Sequence, residues 1–352
     1  KNKDKKGKTQ YIGLGHVRLS IVDLSVNGNQ PMVSKNKKYI MIYNGELYNT
    51  EFLKSKLGNV TLKSTSDSEV LLEYFSIYGV KGFNNLRGMF AAIFYNTVNG
   101  DIIALRDHLG IKPLYYSENK EELFLSSEIK GLRHFVKNKF TLCPKSLYDF
   151  MNLGFMYEPL TGFKEVKKVP PGSYLLYSNN KLKLKNYFRL NNNYKNFNIQ
   201  KKSYSEHIQS TTISDAKLGV FFSGGIDSSI IAQIVKKDLF FVNTFTKKVK
   251  LESSDQLYAS KIAQKLDLPF LEVDGTDAKF SNSFLENIVD VVKGNEELIS
   301  DYTYSSSKII SKEARKQGFK VMLSGMGADE VYCGYSRHKI LKYPIIYKTL
   351  RK

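Results

Sequence analysis

Cysteine is almost absent. The two residues present, Cys143 and Cys333, lie in unrelated contexts. They show no zinc-type spacing and no sign of a disulfide framework, so a reducing, cytoplasmic setting is expected. Long apolar runs are missing as well. None approaches the roughly 18 residues that a membrane-spanning helix requires. The lysine-rich start is followed by no apolar region, so it does not read as a signal peptide. Acidic residues are few, 34 against 53 Lys+Arg, which gives a formal charge of +19. Such an excess would suit nucleic acid. Yet the lysines are spread along the chain, with no dense arginine cluster or basic block beyond the first eight residues. Neither nucleic acid nor a membrane is therefore expected as a partner. A Walker A loop is also lacking, because Gly7-Lys8-Thr9 has Asn2 where the first motif glycine belongs.

What is present suits two packed domains. A chain of 352 residues exceeds the usual size of one domain. In the first half, short apolar segments alternate with turn residues. Strands are expected at 12–16, 18–22 and 39–43, and a helix at 68–78. Hairpins are expected through Asn99-Gly100 and Asn179-Asn180. This pattern implies an α+β sandwich. An Asn-rich linker at 187–203 precedes strands that alternate with helices, which implies a doubly wound parallel sheet. The expected domains are 1–186 and 204–352.

Two loops in the second half carry chemistry. Ser223-Gly224-Gly225-Ile226-Asp227-Ser228-Ser229 lies between an apolar strand and a helical pattern. Adjacent glycines let the backbone approach a ligand, and the free N–H groups of the helix start face an anion. Hydroxyl donors beside the Asp227 carboxylate suggest a phosphate with magnesium. The second loop is Ser324-Gly325-Met326-Gly327-Ala328-Asp329-Glu330, at the end of another strand.

The first of these loops resembles the pyrophosphate-binding loop of the ATP pyrophosphatase superfamily. In the first half, a series of strings resembles the glutaminase domain of class II glutamine amidotransferases, an N-terminal-nucleophile hydrolase fold. The strings are His16 to Asp23, Tyr43-Asn44-Gly45-Glu46-Leu47-Tyr48-Asn49, Ser66 to Glu69, Gly88 to Ala91, Arg106 to Tyr116, Ser127 to Lys130 and Pro171 to Tyr174. Their order, followed by the Ser223 loop, is similar to that of the glutamine-hydrolysing asparagine synthetase family.

The resemblance implies roles, each with a chemical reason. Arg18 would hold the glutamine α-carboxylate, which suits a planar fork of donors. Asp67 would meet the α-ammonium, unless it caps the helix that starts at Ser68. Asn44 and Gly45 would form the oxyanion hole with an amide and a backbone N–H, unless they form a plain turn. Glu46 is a further substrate contact. Ser223, Gly224, Gly225, Asp227, Ser228, Ser229, Ser324 and Gly325 would hold ATP, with Asp227 and Asp329 on magnesium. Phe221 would line the adenine pocket or belong to the sheet core. Arg106, Asp107, Lys112 and Pro113 are expected to pin a turn, and His16 and His108 to be structural.

The implied reaction uses ammonia from glutamine and ATP to amidate a carboxylate through an acyl-adenylate. Aspartate is the first acceptor to consider. The alternatives are a uronic acid of a surface polysaccharide and a glutaminase-dead sensor. A homodimer is compatible with the resemblance. Transfer-RNA thiolation with the same loop lacks a thiol site.

Some positions depart from the pattern. The family nucleophile is an N-terminal cysteine, whereas this chain begins Lys1-Asn2-Lys3-Asp4 and Cys143 is a poor substitute. The chain as it stands is expected not to hydrolyse glutamine, and a missing N-terminal segment is favoured over a degenerate domain. Met326 replaces a glutamate thought to assist amidation, and methionine cannot move a proton. Residues 295–302 lack the Thr-Thr-Ile-Arg-like string of asparagine synthetases. The chain also stops short of the family's usual length.

Overall fold

The computed structural model describes residues 2–3, 9–119, 122–136, 140–190, 201–235, 240–244, 254–274, 283–301, 303–336 and 338–339. The expected linker falls largely outside these residues. Contacts divide the chain into two units. The first comprises Lys1–Ile199 with Val289–Tyr302, and the second Gln200–Ile288 with Thr303–Lys352.

The first unit is built on a six-stranded antiparallel sheet. Its order is Lys181–Asn186, Ser173–Ser178, Ile102–Arg106, Gly88–Asn96, Tyr39–Leu47, Met32–Val33. Strand side chains alternate between faces, and here both faces are covered. Met41, Phe90, Ala92 and Phe94 pack with Val70, Leu71 and Phe75 of the helix Asp67–Tyr78. The rings of Phe75 and Phe94 stack at 3.8 Å. On the opposite face Ala91, Ile93, Ala104 and Leu175 meet Leu114, Tyr116 and Val169. Tyr116 belongs to a second sheet of Leu123–Ser126, Tyr115–Glu118 and Lys167–Lys168. The result is the expected α+β sandwich. Both hairpins form where the turn residues predict. Asn179 and Asn180 adopt φ of 51° and 58°, the conformation a two-residue hairpin loop requires.

The strands expected at 12–16 and 18–22 do not form, and residues 11–20 carry no regular structure. A strand needs a neighbour for its backbone groups. Among the described residues, none pairs with this segment. Val17 is 98% exposed and Leu19 65%, so apolar alternation here reports no sheet.

The second unit holds a parallel sheet ordered Phe270–Asp274, Phe240–Thr244, Leu218–Phe222, Val321–Leu323. Val220 and Phe222 pack with Ala232, Ala259 and Ala263. Val273 packs with Ile310, Ala314 and Phe319. The sheet is thus doubly wound, as its strand–helix alternation predicts. Strand order reverses between Leu218–Phe222 and Val321–Leu323. Ligands of such sheets bind at this switch point.

Residues 289–302 belong by contact to the first unit although their sequence neighbours belong to the second. Glu297 accepts a 2.5 Å bond from the Tyr115 hydroxyl and pairs with Lys168 at 2.5 Å. Lys168 also pairs with Glu158, which reaches Arg106. Glu296 binds the Lys130 N–H and ammonium, and Ser300 donates to the Gly154 carbonyl.

Candidate functional site

The first unit contains a cavity of about 820 Å³. Arg18, Asn44, Gly45, Glu46 and Asp67 all line it, together with His16 and Lys112. Four elements deliver them: an irregular segment, the end of the Tyr39–Leu47 strand, the start of the Asp67–Tyr78 helix and the turn after Ile102–Arg106. Cys143 does not line this cavity. It is a buried free thiol that precedes Pro144 at a helix start.

Gly45 pairs with Phe90 across the sheet. A Cβ at Gly45 would overlap the Met89 carbonyl and stand 2.6 Å from the Phe90 Cα. Backbone sits where a side chain would go, and only glycine permits that approach. Asn44 is exposed at the same strand end.

Asp67 is not the helix cap. Ser66 takes that place, its hydroxyl accepting from the Glu69 N–H at 3.3 Å. Asp67 is instead buried, and its Oδ2 accepts from the Tyr43 hydroxyl at 2.7 Å and the Leu47 N–H at 2.9 Å. Burial pushes its pKa up, against the pull of these donors. Glu46 is also buried, and its Oε1 has no hydrogen-bond partner. Burial, reinforced by the Asp67 charge and opposed by Lys112, raises its pKa to about 7. Burial likewise raises Tyr48 to about 12. The cavity thus presents two carboxyl groups of different poise, one fully bonded and one waiting for a donor.

Arg18 is engaged by its own loop. Its guanidinium donates to the carbonyls of Ser25 at 2.7 Å, Val22 at 3.1 Å and Asp23. Asp23 ties that loop down, accepting from Ser25 and from the Thr65 N–H. Its pKa is lowered chiefly by the Ser25 hydroxyl.

The turn after Ile102–Arg106 is held as the sequence predicts. Asp107 is fully buried and accepts four backbone N–H bonds, from Phe90, Leu109, Ile111 and Lys112. Arg106 donates to the carbonyls of Gly110, Lys112 and Val169. This brings Lys112 to the cavity wall, a position that sequence assigned to structure alone. His108 packs edge-on against Phe90, Tyr187 and Phe188 and is structural.

In the second unit both glycine loops follow adjacent strands at the switch point. Gly224 has φ of 74°, and a Cβ there would lie 2.5 Å from the Ala259 Cα. The Ser223 and Ser228 hydroxyls stand 3.1 Å apart, and Ser228 also meets the Ser223 N–H and the Gly225 carbonyl. Ser229 Oγ is buried without a partner. The loops touch, since a Cβ at Gly325 would come 3.0 Å from the Asp227 Cβ and 3.1 Å from the Ser228 nitrogen. Ser324 follows the strand Val321–Leu323 and is half-buried. Asp329 lies in the short helix Ala328–Tyr332, its carboxylate over Gly334. Phe221 packs against the cluster of Ile310, Ala314 and Phe319, so it serves the core. Met326 is 87% exposed.

Among the described residues, no group of three or more His, Cys, Asp or Glu could hold a metal by itself. Magnesium seldom needs one. It takes one or two carboxylates and completes its shell with water and substrate phosphates. Asp227 and Asp329, one from each of two glycine loops, fit that requirement. Tyr204 lies in the same neighbourhood as Tyr332 and Asp227. Its phenol pKa is raised mainly by burial, with Tyr332 and Asp227 adding to the shift, and its ring stands 6.3 Å from that of Tyr332. No motif marks it, because it arrives from a helix far from either loop in sequence.

Known proteins match this arrangement in the same order. The glutamine amidotransferase domain family matches residues 3–188, and the asparagine synthase family matches residues 204–346. Asparagine synthetase [glutamine-hydrolyzing] 1 of Bacillus subtilis is 30% identical, over 94% of this chain and 53% of its own length. Putative asparagine synthetase [glutamine-hydrolyzing] 2 of Methanocaldococcus jannaschii is 30% identical, over 94% of this chain and 68% of its own. The chain belongs to the glutamine-hydrolysing asparagine synthetase family. Amidase chyE of Penicillium rubens is also 30% identical, over 92% of this chain and 51% of its own. The chain therefore spans about half the length of several of the curated relatives it matches.

Proposed function

We propose that this chain contributes the glutamine site and the ATP site of an enzyme that amidates a carboxylate with ammonia from glutamine. Residues 1–186 would carry the first site and residues 204–352 the second. The observation that supports this most is one cavity lined by Arg18, Asn44, Gly45, Glu46 and Asp67. It occurs in a chain that also sets two glycine loops at one switch point.

In the cavity, the buried Asp67 and Glu46 carboxyls suit an α-ammonium. Arg18 would exchange part of its bonding to the 22–25 carbonyls for the α-carboxylate. Asn44 and the Gly45 N–H would steady the oxygen that gains charge as the amide is attacked. Ammonia released there would remain useful only if kept from water, where it is protonated.

In the second unit Ser223, Gly224, Gly225, Ser228, Ser229, Ser324 and Gly325 would bind ATP through backbone N–H and hydroxyl donors. Asp227 and Asp329 would hold magnesium. When bound, the ion would neutralise phosphate charge as pyrophosphate leaves. The acceptor oxygen would attack the α-phosphorus, and ammonia would then displace AMP from the acyl group to leave an amide.

Aspartate is the first acceptor proposed, because relatives named asparagine synthetase match most of the chain. A second reading rests on Met326 in place of a glutamate, and on a relative named amidase. Here the acceptor is another carboxylate, such as a sugar uronic acid. Pyrophosphate exchange into ATP, measured on the full-length protein with each acceptor, separates the two. Exchange with aspartate is expected. Exchange with uronate alone would overturn aspartate as acceptor, and no exchange with any carboxylate would leave the sensor reading.

A further inference from the structure

Two cationic side chains, Arg18 and Lys112, line the cavity of the first unit, and they are held in different ways. The Arg18 guanidinium is spent on the carbonyls of Val22, Asp23 and Ser25. It is also boxed in, since a Cβ at Gly28 would stand 2.5 Å from its Cζ. Lys112 is fixed through its backbone alone. Its N–H donates to Asp107 Oδ2 at 2.9 Å, and its carbonyl accepts from Arg106 Nε at 2.8 Å. Pro113 follows and restricts the Lys112 backbone further. Among the described residues, no hydrogen bond or ion pair engages the Lys112 ammonium. Nor is it sealed off. It is not one of the buried side-chain atoms without a partner, so it keeps accessible surface.

The surroundings of this ammonium say what it could meet. Glu46 lines the same cavity, and the Lys112 charge bears on its carboxyl, yet among the described residues the two form no ion pair. Other donors on the wall are committed. Gln30 donates to the Tyr43 carbonyl and the Ser68 hydroxyl, and Ser68 to Asp67 Oδ1. Opposite charges that line one cavity without pairing are completed by a ligand that carries both. With an α-ammonium at the Asp67 and Glu46 carboxyls, the adjoining α-carboxylate needs a cation near Glu46 that is free to bind. A lysine ammonium is a compact charge on a flexible stem. It can meet that group at once, whereas Arg18 must first release carbonyls. We propose that Lys112 is a further binding residue of the glutamine site, its ammonium donating to the α-carboxylate of the bound amino acid. The assignment rests on the cavity being that site. Lys112 would then help to select an amino acid over an amine that lacks the carboxylate.

Side-chain substitution at Lys112 spares both backbone bonds, so melting temperatures should stay with the parent's. Calorimetric titration of glutamine into the full-length protein should show Lys112→Met weakened about tenfold and Lys112→Arg within about threefold of the parent. 4-Aminobutanamide carries the ammonium and the side-chain amide of glutamine without the α-carboxylate. Competed against glutamine, it should bind the parent more weakly, and that gap should narrow about tenfold in Lys112→Met. A Lys112→Met protein that binds glutamine as the parent does, or a gap that does not narrow, overturns the proposal. The unsubstituted protein offers a reading that needs no variant to fold. Amine-directed acetylation, followed by mass spectrometry, should modify Lys112 in the free protein and be suppressed by saturating glutamine. Glutamine that binds and leaves the labelling of Lys112 unchanged overturns this assignment alone. If the unsubstituted protein binds no glutamine in the calorimeter, the reading of the cavity fails and this assignment with it.

Discussion

Asp67 and Asp227 are both carboxylates in the first turn of a helix, and they are treated in opposite ways. Asp67 is buried, and its Oδ2 is saturated by the Tyr43 hydroxyl and the Leu47 N–H. Asp227 is half-exposed beside a loop whose Ser223 and Ser228 hydroxyls bond to each other and to the loop's own backbone. In the first unit the site is made from the core, so the groups that would touch a ligand also hold the fold. In the second the sheet holds the fold and the loops are free to serve chemistry. Substitutions should therefore change stability and binding together in the first unit and separately in the second.

The sharpest test of that separation is Asp227→Asn. Losing one charge that orients the phosphates should lower pyrophosphate exchange about 100-fold or more. The unfolding free energy measured in urea should stay within about 0.5 kcal/mol of the parent, as for other surface changes. Asp67→Ala should do the reverse. The Tyr43 hydroxyl and the Leu47 N–H would lose their acceptor in a buried place, at about 2–3 kcal/mol. Glutamine binding, followed by calorimetry, should fall with it. An Asp67→Ala protein that keeps its urea midpoint would break the comparison. Gly224→Ala is the exception expected within the second unit. A left-handed backbone costs a side chain about 1–2 kcal/mol, and the Ala259 backbone stands in the way. Its melting temperature and its ATP affinity should both drop.

A pH test sharpens the comparison. The Glu46 carboxyl titrates near 7 when folded, against an ordinary value of 4.5. Between those values the folded chain binds more protons than the unfolded one, so this group's contribution to stability falls as pH rises. Against Glu46→Gln, the parent should lose melting temperature from pH 5 to pH 7 and little more above. Glutamine affinity should rise over the same interval, because an ammonium ligand favours the ionised carboxyl. The smallest effect is expected from Met326→Glu. At an exposed loop position it should leave stability within about 0.5 kcal/mol, so any change in acceptor preference can be read without correction.

The turn chemistry was legible from the chain. Asn179-Asn180 and the residues flanking the Ser223 loop carry local conformational demands that no distant contact has to supply. The residues that line the first unit's cavity were legible as a set because they lie in recognisable strings. What could not be read depends on partners far away in sequence. Residues 12–22 alternate like strands, but a strand exists only when something pairs with it. Asp67 looks like a cap until Ser66 is seen to hold that place and Tyr43 to take up its carboxylate. Arg18 reads as a free fork, whereas the carbonyls that occupy it belong to a loop whose curvature no pattern announces. Lys112 reaches the cavity wall through tertiary placement.

The excursion of residues 289–302 bears on how modular this chain is. Two successive sequence families suggest two exchangeable cassettes, separable near residue 200. The contacts say that such a cut would not part the units cleanly. Removing everything beyond it takes Glu297 from Lys168 and Tyr115, and Glu296 from Lys130. Lys168 keeps Glu158 as a partner, whereas the Tyr115 hydroxyl loses the acceptor it has in the intact chain. A glutamine-site half swapped between family members would therefore have to carry a compatible 289–302 insert from the other half. Recombination between such genes is constrained at a place remote in sequence from the point of exchange.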